Sequence, residues 1–329
     1  MCVIENGPLL QVENLRTHFV TERGLVRAVD GVSFNLDQGV TLGLVGESGC
    51  GKTILCRTLM GLLPPSAKIS EDARVVFNGR DLRNLNEKAL RAIRGREVAM
   101  IFQDPMTSLN PYLRVSEQMV EVLIHHRGMS KREATARAIA MLDAVRIPEA
   151  KNRVHMYPHE FSGGMRQRVM IAMALLCEPE LLIADEPTTA LDVTVQDQIM
   201  SLLGDLQKEF QMSLVLITHD LGVVAQSCEK VLVLYGGQMM EYDDIKPLFA
   251  RPGHPYTQAL LSAIPRLDQG NDALNAIPGN PPNMMNMPKG CPFSPRCEYV
   301  VDHCRTDRAI VVPSGSGLRA CHKPKEELV

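Results

Sequence analysis

Residues 46–53, GESGCGKT, have the spacing of a phosphate cradle. Gly46, Gly49 and Gly51 let main-chain N–H groups converge on an anion, Lys52 adds a point charge, and the Thr53 hydroxyl suits Mg2+. LLIADEP is an apolar strand ending in two carboxylates. Asp185 can hold the Mg2+ shell and Glu186 can polarise a water, because adjacent residues at a strand end face different ways. In FSGGMRQR, Ser162, Gly163 and Gly164 open a strongly helical run, a second anion-binding helix start. One chain thus offers two phosphate sites.

Four of the nine cysteines, Cys291, Cys297, Cys304 and Cys321, lie in the last 39 residues among prolines and turns. They read as metal ligands. Their spacing is longer than the paired-cysteine spacing usual in structural zinc sites, and four thiolates also suit an iron-sulfur cluster. Spacing alone leaves cluster, zinc and free structural thiols open. Cys56, Cys177 and Cys228 sit in apolar helical contexts and read as small core residues, and Cys50 as a tolerated loop residue.

These groups need a scaffold. VTLGLV before the cradle reads as a strand, and TILCRTLMGLL after it as a helix stopped by Pro64 and Pro65. Upstream, LLQVENLRTHFV and AVDGVSFNLDQG are β-rich runs between turn signals. Strand ARVVFNG, helix NEKALRAIRG and strand EVAMIFQD continue an α/β pattern. Residues 106–179 turn helical, through SEQMVEVLIHHRG, KREATARAIAMLDAV and MRQRVMIAMALLC. Strands return as ELLIADEP, LVLITHD and KVLVLYGGQ, with amphipathic VTVQDQIMSLLGDLQKEF between the first two. Beyond about residue 240, Pro, Gly and Asn accumulate, and PGNPPNMMNMPKGCP predicts an irregular wrap.

With 329 residues, 45% hydrophobic and 22% charged, the chain can build two or three packed subdomains. A formal net charge of −3 gives no positive field to gather phosphodiester backbones, so nucleic acid is not an expected partner. The longest apolar run, VMIAMALLC, falls far short of the roughly 20 residues a membrane span needs. The N-terminal stretch lacks the apolar core of an export signal, Cys2 has no apolar segment before it, and the cysteines are too sparse for a disulfide scaffold. A reducing, cytosolic location is expected.

Taken together, the motifs resemble those of the ATP-binding cassette (ABC) family. Walker A begins at Gly46, a Q-loop glutamine stands at Gln103, the signature is SGGMRQ, Walker B ends at Asp185, the D-loop ALD ends at Asp192, and His219 in LITHD is the switch histidine. All six follow the family order over residues 9–245, with Phe161 where the family usually has Leu. Alone, Gln103 would read as a loop amide and His219 as a solvated or core histidine; their place after strands flanking one site reverses that reading. Phe19 reads equally as an adenine-stacking residue and as a strand core residue. His125 and His126, and Met165, Met170 and Met173, read as surface and core features. Residues 253–267, GHPYTQALLSAIPRL, then IPGNPP and GCPFSPRC, resemble the C-terminal extension of the peptide and nickel branch. The resemblance to D-type ATP-binding subunits of bacterial oligopeptide permeases runs over almost the whole chain.

The resemblance implies a P-loop NTPase fold of the ABC nucleotide-binding type: a RecA-like core, an antiparallel β subdomain, an inserted helical subdomain and a Cys-containing C-terminal extension. Its implied limits are 1–245 for the ATP-binding domain, with 106–179 the helical subdomain, and 246–329 for the extension. Nucleotide contacts are implied for Phe19, Gly46, Glu47, Ser48, Gly49, Cys50, Gly51, Lys52, Thr53, Gln103 and Asp185, and for Ser162, Gly163, Gly164 and Asp192. Thr53, Gln103 and Asp185 would serve Mg2+, Glu186, His219 and Gln103 the chemistry, and Cys291, Cys297, Cys304 and Cys321 a [4Fe-4S] cluster. The implied function is the ATP-hydrolysing subunit of a membrane importer of oligopeptides, with dipeptides or nickel as the alternative within the branch. Implied partners are two transmembrane permease subunits, a second ABC ATPase and, indirectly, an extracytoplasmic binding protein, at the cytoplasmic face of the bacterial inner membrane. A soluble cassette acting on DNA or ribosomes would bring a coiled-coil insertion or tandem cassettes and a basic surface, none of which the sequence contains.

Overall fold

A computed structural model describes residues 7–103, 108–189, 191–263 and 277–328. Cys2, the boundary at 106, Ala190 of the ALD turn and the end of segment 253–267 lie outside the described residues. The chain forms two compact units, residues 1–84 with 218–329, and residues 85–217.

In the first unit, strand Leu10–Thr21 buries Leu10, Val12, Leu15 and Thr17 and pairs antiparallel with Gly24–Leu36, from Leu10 opposite Leu36 to Thr21 opposite Gly24. It also pairs with Ala67–Ile69 and Arg74–Phe77. Alternating burial is what a sheet with one covered face requires. Strand Thr41–Val45 differs, since all five residues are buried, as in a parallel strand covered on both faces. It runs parallel to Lys230–Tyr235, which turns back antiparallel into Gln238–Asp244. The glycine-rich sequence 46–53 follows directly from the C-terminal end of Thr41–Val45, where α/β sheets place ligands.

Residues 278–292 contain no helix or strand, as their Pro, Gly and Asn content predicts, but regular elements flank them. Gly317–Arg319 pairs antiparallel with Gln238–Asp244, setting Arg319 opposite Glu241, and Val312–Ser314 pairs outside it. Helix Pro255–Ser262 starts at His254, whose ring accepts from the Tyr256 N–H at 3.0 Å. Three-residue strands have no period to read in sequence, and here long-range pairing supplies the order instead.

In the second unit, strands Val98–Ile101, Leu181–Asp185 and Ser213–Ile217 run parallel, the last two buried throughout. Helices Val115–Arg127, Lys131–Ala144, Gly163–Leu175 and Val193–Phe210 accompany them. Lys131–Ala144 starts at a capping box in which Ser130 and Glu133 satisfy each other's N–H groups. Val193–Phe210 buries Ile199, Met200, Leu202, Leu203 and Leu206. At about 1.5–3 kcal/mol per fully buried side chain, that face outweighs helix propensity in holding it. Cys56, Cys177 and Cys228 are buried, as core residues should be. No described helix is long and apolar enough to cross a membrane.

Candidate functional site

The glycine-rich loop 46–53 of the first unit is shaped by two glycines. Gly46 has φ 147° and Gly51 φ 106°, and a Cβ would lie 2.2 Å from the Leu234 carbonyl oxygen at Gly46 and 2.2 Å from that of Ala28 at Gly51. Backbone atoms cannot step aside as a flexible side chain would, so only glycine fits both places. Ser48 and Gly49 are exposed at the loop's tip, while Lys52 is buried at the start of helix Lys52–Leu59. Its Nζ donates to the carbonyl oxygens of Gly46 at 2.7 Å and Glu47 at 3.1 Å, placing the ammonium inside the curl of the loop. Burial pushes the Cys50 thiol up, so it is a packed neutral group rather than a nucleophile. Thr53 is the second residue of the same helix.

Glu47 has partners that sequence reasoning missed. Arg296 donates to its carboxylate from both terminal nitrogens, Nη1 to Oε2 at 2.6 Å and Nη2 to Oε1 at 3.0 Å. The Glu47 N–H donates to Tyr256 Oη at 2.9 Å, and Arg296 Nη1 also donates to Tyr235 Oη at 3.0 Å. Tyr235, Tyr256 and Phe293 pack ring against ring, with centroids 4.4 to 5.3 Å apart, and the guanidinium lies over Tyr235 and Phe293. The paired carboxylate raises Arg296 further above the usual arginine range. With 249 positions between the partners in sequence, no local signal could have joined them.

In the second unit, Asp185 ends a buried strand and Glu186 follows with φ 49°. A non-glycine residue in that left-handed region costs roughly 1–2 kcal/mol and turns the chain sharply. The turn gives the two neighbouring carboxylates different surroundings. Asp185 is buried, whereas Glu186 Oε2 accepts from Gln103 Nε2 and from Thr189 Oγ1, each at 2.8 Å. The structure thus joins two sequence-predicted residues that stand 83 positions apart. The Glu186 N–H donates to the Ile217 carbonyl at 3.0 Å, fixing the turn against the next strand.

Ser162 caps Gly163–Leu175, accepting from the Met165 N–H at 3.4 Å. Ser162 and Gly163 are exposed and Phe161 is buried, so the Leu-to-Phe departure falls on the core side while the helix start faces outward. Asp192 is exposed and caps Val193–Phe210 through the Val195 N–H at 2.9 Å. In the first unit, His219 is exposed just before Asp220, which caps Leu221–Ser227, and Phe19 is half-buried opposite Val26.

Cys291, Cys297, Cys304 and Cys321 line one cavity of ≈ 10 Å³, with His254, Ser294 and His322. The Cys291 N–H donates to the Cys304 carbonyl at 2.9 Å, which ties two of the four together through backbone. Burial pushes the Cys291 thiol up to about 12 and Cys297 up to about 11. Among the described residues, no group of three or more His, Cys, Asp or Glu side chains is arranged to hold a metal ion. Thiolates are the donor type that soft metals favour, but the four side chains are not gathered around a metal position here, and binding one would require them to lose protons.

Beside this cavity, His254 is fully buried and pushed down to about 3, first by burial and then by the Arg319 charge. Glu241 accepts from the Gly253 and His254 N–H groups at 2.6 and 3.1 Å. Unfolded histidine binds a proton below about pH 6.5 and folded His254 does not, so its contribution is complete above that pH and falls by about 1.4 kcal/mol per unit toward pH 3. Burial raises Glu241, which acts in the opposite sense, so a variant comparison isolates the histidine. In His254→Asn, which keeps an acceptor for the cap, hydrogen-exchange protection of helix Pro255–Ser262 should lose less between pH 6.5 and 4.5 than in wild type. Equal slopes would remove His254 from this role.

Residues 29–189 match the ABC transporter family, and residues 240–304 match the oligopeptide/dipeptide transporter C-terminal region. The oligopeptide transport ATP-binding protein OppD of Salmonella typhimurium is 56% identical over 98% of this chain and 95% of its own length. The dipeptide transport ATP-binding protein DppD of Escherichia coli is 47% identical over 97% of this chain and 98% of its own. Among solved structures, a dimeric ATP-binding cassette in a post-hydrolysis state, bound to ADP and Pi, matches with a TM-score of 0.64 at 28% identity, covering 72% of this chain and 98% of that one.

Proposed function

The chain belongs to the ABC transporter family as an ATP-hydrolysing subunit of an oligopeptide importer with membrane permease partners, and on that premise we propose how its residues divide the work. Residues 46–53 hold the phosphates, with Lys52 against the β- and γ-phosphates and Phe19 stacked on adenine. Thr53, Gln103 and Asp185 would hold Mg2+, which would neutralise charge developing on the phosphates. Glu186 takes a proton from the attacking water, His219 orients the γ-phosphate, and Gln103 links that site to the helical segment 106–179. The hydrogen bond between Gln103 and Glu186 is the observation that carries this division, since it joins the proposed base directly to the proposed linking glutamine.

Ser162, Gly163 and Gly164 complete the site of a second ABC ATPase bound head to tail, and Asp192 couples the two sites. That a similar cassette was solved as a dimer with ADP and Pi supports pairing of this kind of chain. The pair works beneath two transmembrane permease subunits, on the cytoplasmic face of the bacterial inner membrane, with peptides delivered by an extracytoplasmic binding protein. In this division residues 1–245 form the ATP-binding domain and 246–329 the branch extension. Reconstituted in vesicles with its permease and partner ATPase, the chain should drive ATP-dependent uptake of oligopeptides. Uptake of dipeptides alone would move the assignment to the second reading, which the DppD relatives favour.

Cys291, Cys297, Cys304 and Cys321 would hold a [4Fe-4S] cluster whose role is to cross-link the tail. Anaerobically purified protein should contain iron and sulfide in equal amounts with broad visible absorption. Zinc without sulfide would keep the ligands and change the centre. Cys304→Ser should loosen residues beyond about 280, read as faster proteolysis of the tail, and metal-free protein with an equally resistant tail would sink the proposal.

A further inference from the structure

The second position of the phosphate loop is a carboxylate, an unfavourable group beside a site for a polyanion. Unpaired, Glu47 would repel the incoming phosphates and lower the loop's affinity. Arg296 meets it with a two-pronged, charge-assisted contact, its side chain only 4% exposed and that of Glu47 24%. The guanidinium is fixed in turn by the Tyr235 hydroxyl, by the Ile277 and Pro278 carbonyls and by the rings beneath it. Tyr256 occupies the Glu47 N–H from the same extension.

We propose that Arg296 is a positioning residue for ATP binding: the C-terminal extension reaches back to the phosphate loop, neutralises Glu47 and holds its carboxylate away from the phosphates. The inference rests on reading residues 46–53 as the ATP phosphate loop. Arg296 stands between Phe293 of the ring cluster and Cys297 of the thiol cavity, so the order of the tail sets the position of the guanidinium. A tail held in place keeps the loop electrically ready for ATP, and a loosened one exposes the Glu47 charge to it.

A double-mutant cycle on the full chain tests this, with Mg2+ and a non-hydrolysable ATP analogue as the probe. Arg296→Ala should weaken analogue binding on the order of tenfold, the size of one uncompensated charge in a partly screened site. Glu47→Gln should tighten it, because Arg296 is left with no carboxylate to neutralise. Adding Glu47→Gln to Arg296→Ala should restore affinity to within about threefold of wild type. In the assembled transporter, Arg296→Ala should raise KM for ATP and leave kcat within about twofold, since the lost interaction acts on binding. Arg296→Lys should fall between, because a point charge neutralises Glu47 but cannot hold both oxygens. If the double variant binds as weakly as Arg296→Ala, the arginine acts only through tail packing and the proposal fails. Lys52→Ala separates the two readings: unchanged affinity there would overturn the phosphate-loop assignment itself, while loss there with no loss in Arg296→Ala would overturn only the role of Arg296.

Discussion

Glu186→Gln is expected to keep ATP binding and slow hydrolysis by about 10² to 10⁴, the span of a lost general base. The substitution suits the geometry. Glutamine still offers an oxygen to Gln103 Nε2 and Thr189 Oγ1, and its backbone still donates to Ile217, so the turn at φ 49° has its supports. What disappears is an oxygen able to take a proton from water. Binding and hydrolysis should therefore separate, with ATP retained and, if the proposed ATPase pair opens only on hydrolysis, the pair trapped closed. The measurement is single-turnover hydrolysis by the assembled transporter with the partner's own site disabled. Near-normal turnover would take Glu186 out of the role, and loss of ATP binding as well would mark the substitution as a folding defect rather than a chemical one.

How much of this was legible in the sequence follows the range of the interactions. The cradle, the buried strands Thr41–Val45, Leu181–Asp185 and Ser213–Ile217, and the capped helix at Ser162 all depend on contiguous residues, so apolar runs and glycine spacing reveal them. The separate surroundings of Asp185 and Glu186 were also anticipated from their adjacency, although the left-handed turn behind them was not. The hairpin of Val312–Ser314 and Gly317–Arg319 was illegible because its strands are too short for a period, and its register is set by Glu241 and Tyr242 more than seventy positions earlier. Least legible was Arg296, which sits in a turn-forming FSPRC and whose meaning comes from Glu47 at the other end of the chain. Charge pairs of that range leave no trace in composition or periodicity, yet this one ties the tail to the phosphate loop.

The second large effect is expected away from the altered chain's own phosphate loop. Ser162→Arg removes an N-cap worth about 1 kcal/mol and puts a bulky cation at the exposed start of Gly163–Leu175. If that helix start completes the partner's site, hydrolysis there should fall by about 10² to 10³, the usual loss when a preorganised donor to a developing oxyanion is removed. Nucleotide binding at this chain's Lys52 should persist, since nothing in residues 46–53 has changed. Pairing the Ser162→Arg chain with a wild-type partner, and measuring labelled-nucleotide binding and single-turnover hydrolysis at each site, separates the two. A variant that lost nucleotide at its own Lys52 while the partner's site worked normally would contradict the composite arrangement. The exposed Ser162 and Gly163, with Phe161 buried behind them, fit an effect felt on a proposed partner: the helix start is anchored by its own core and presents its donors outward. On that reading a single chain should hydrolyse ATP slowly on its own, because each phosphate loop would lack the donors that only another subunit supplies.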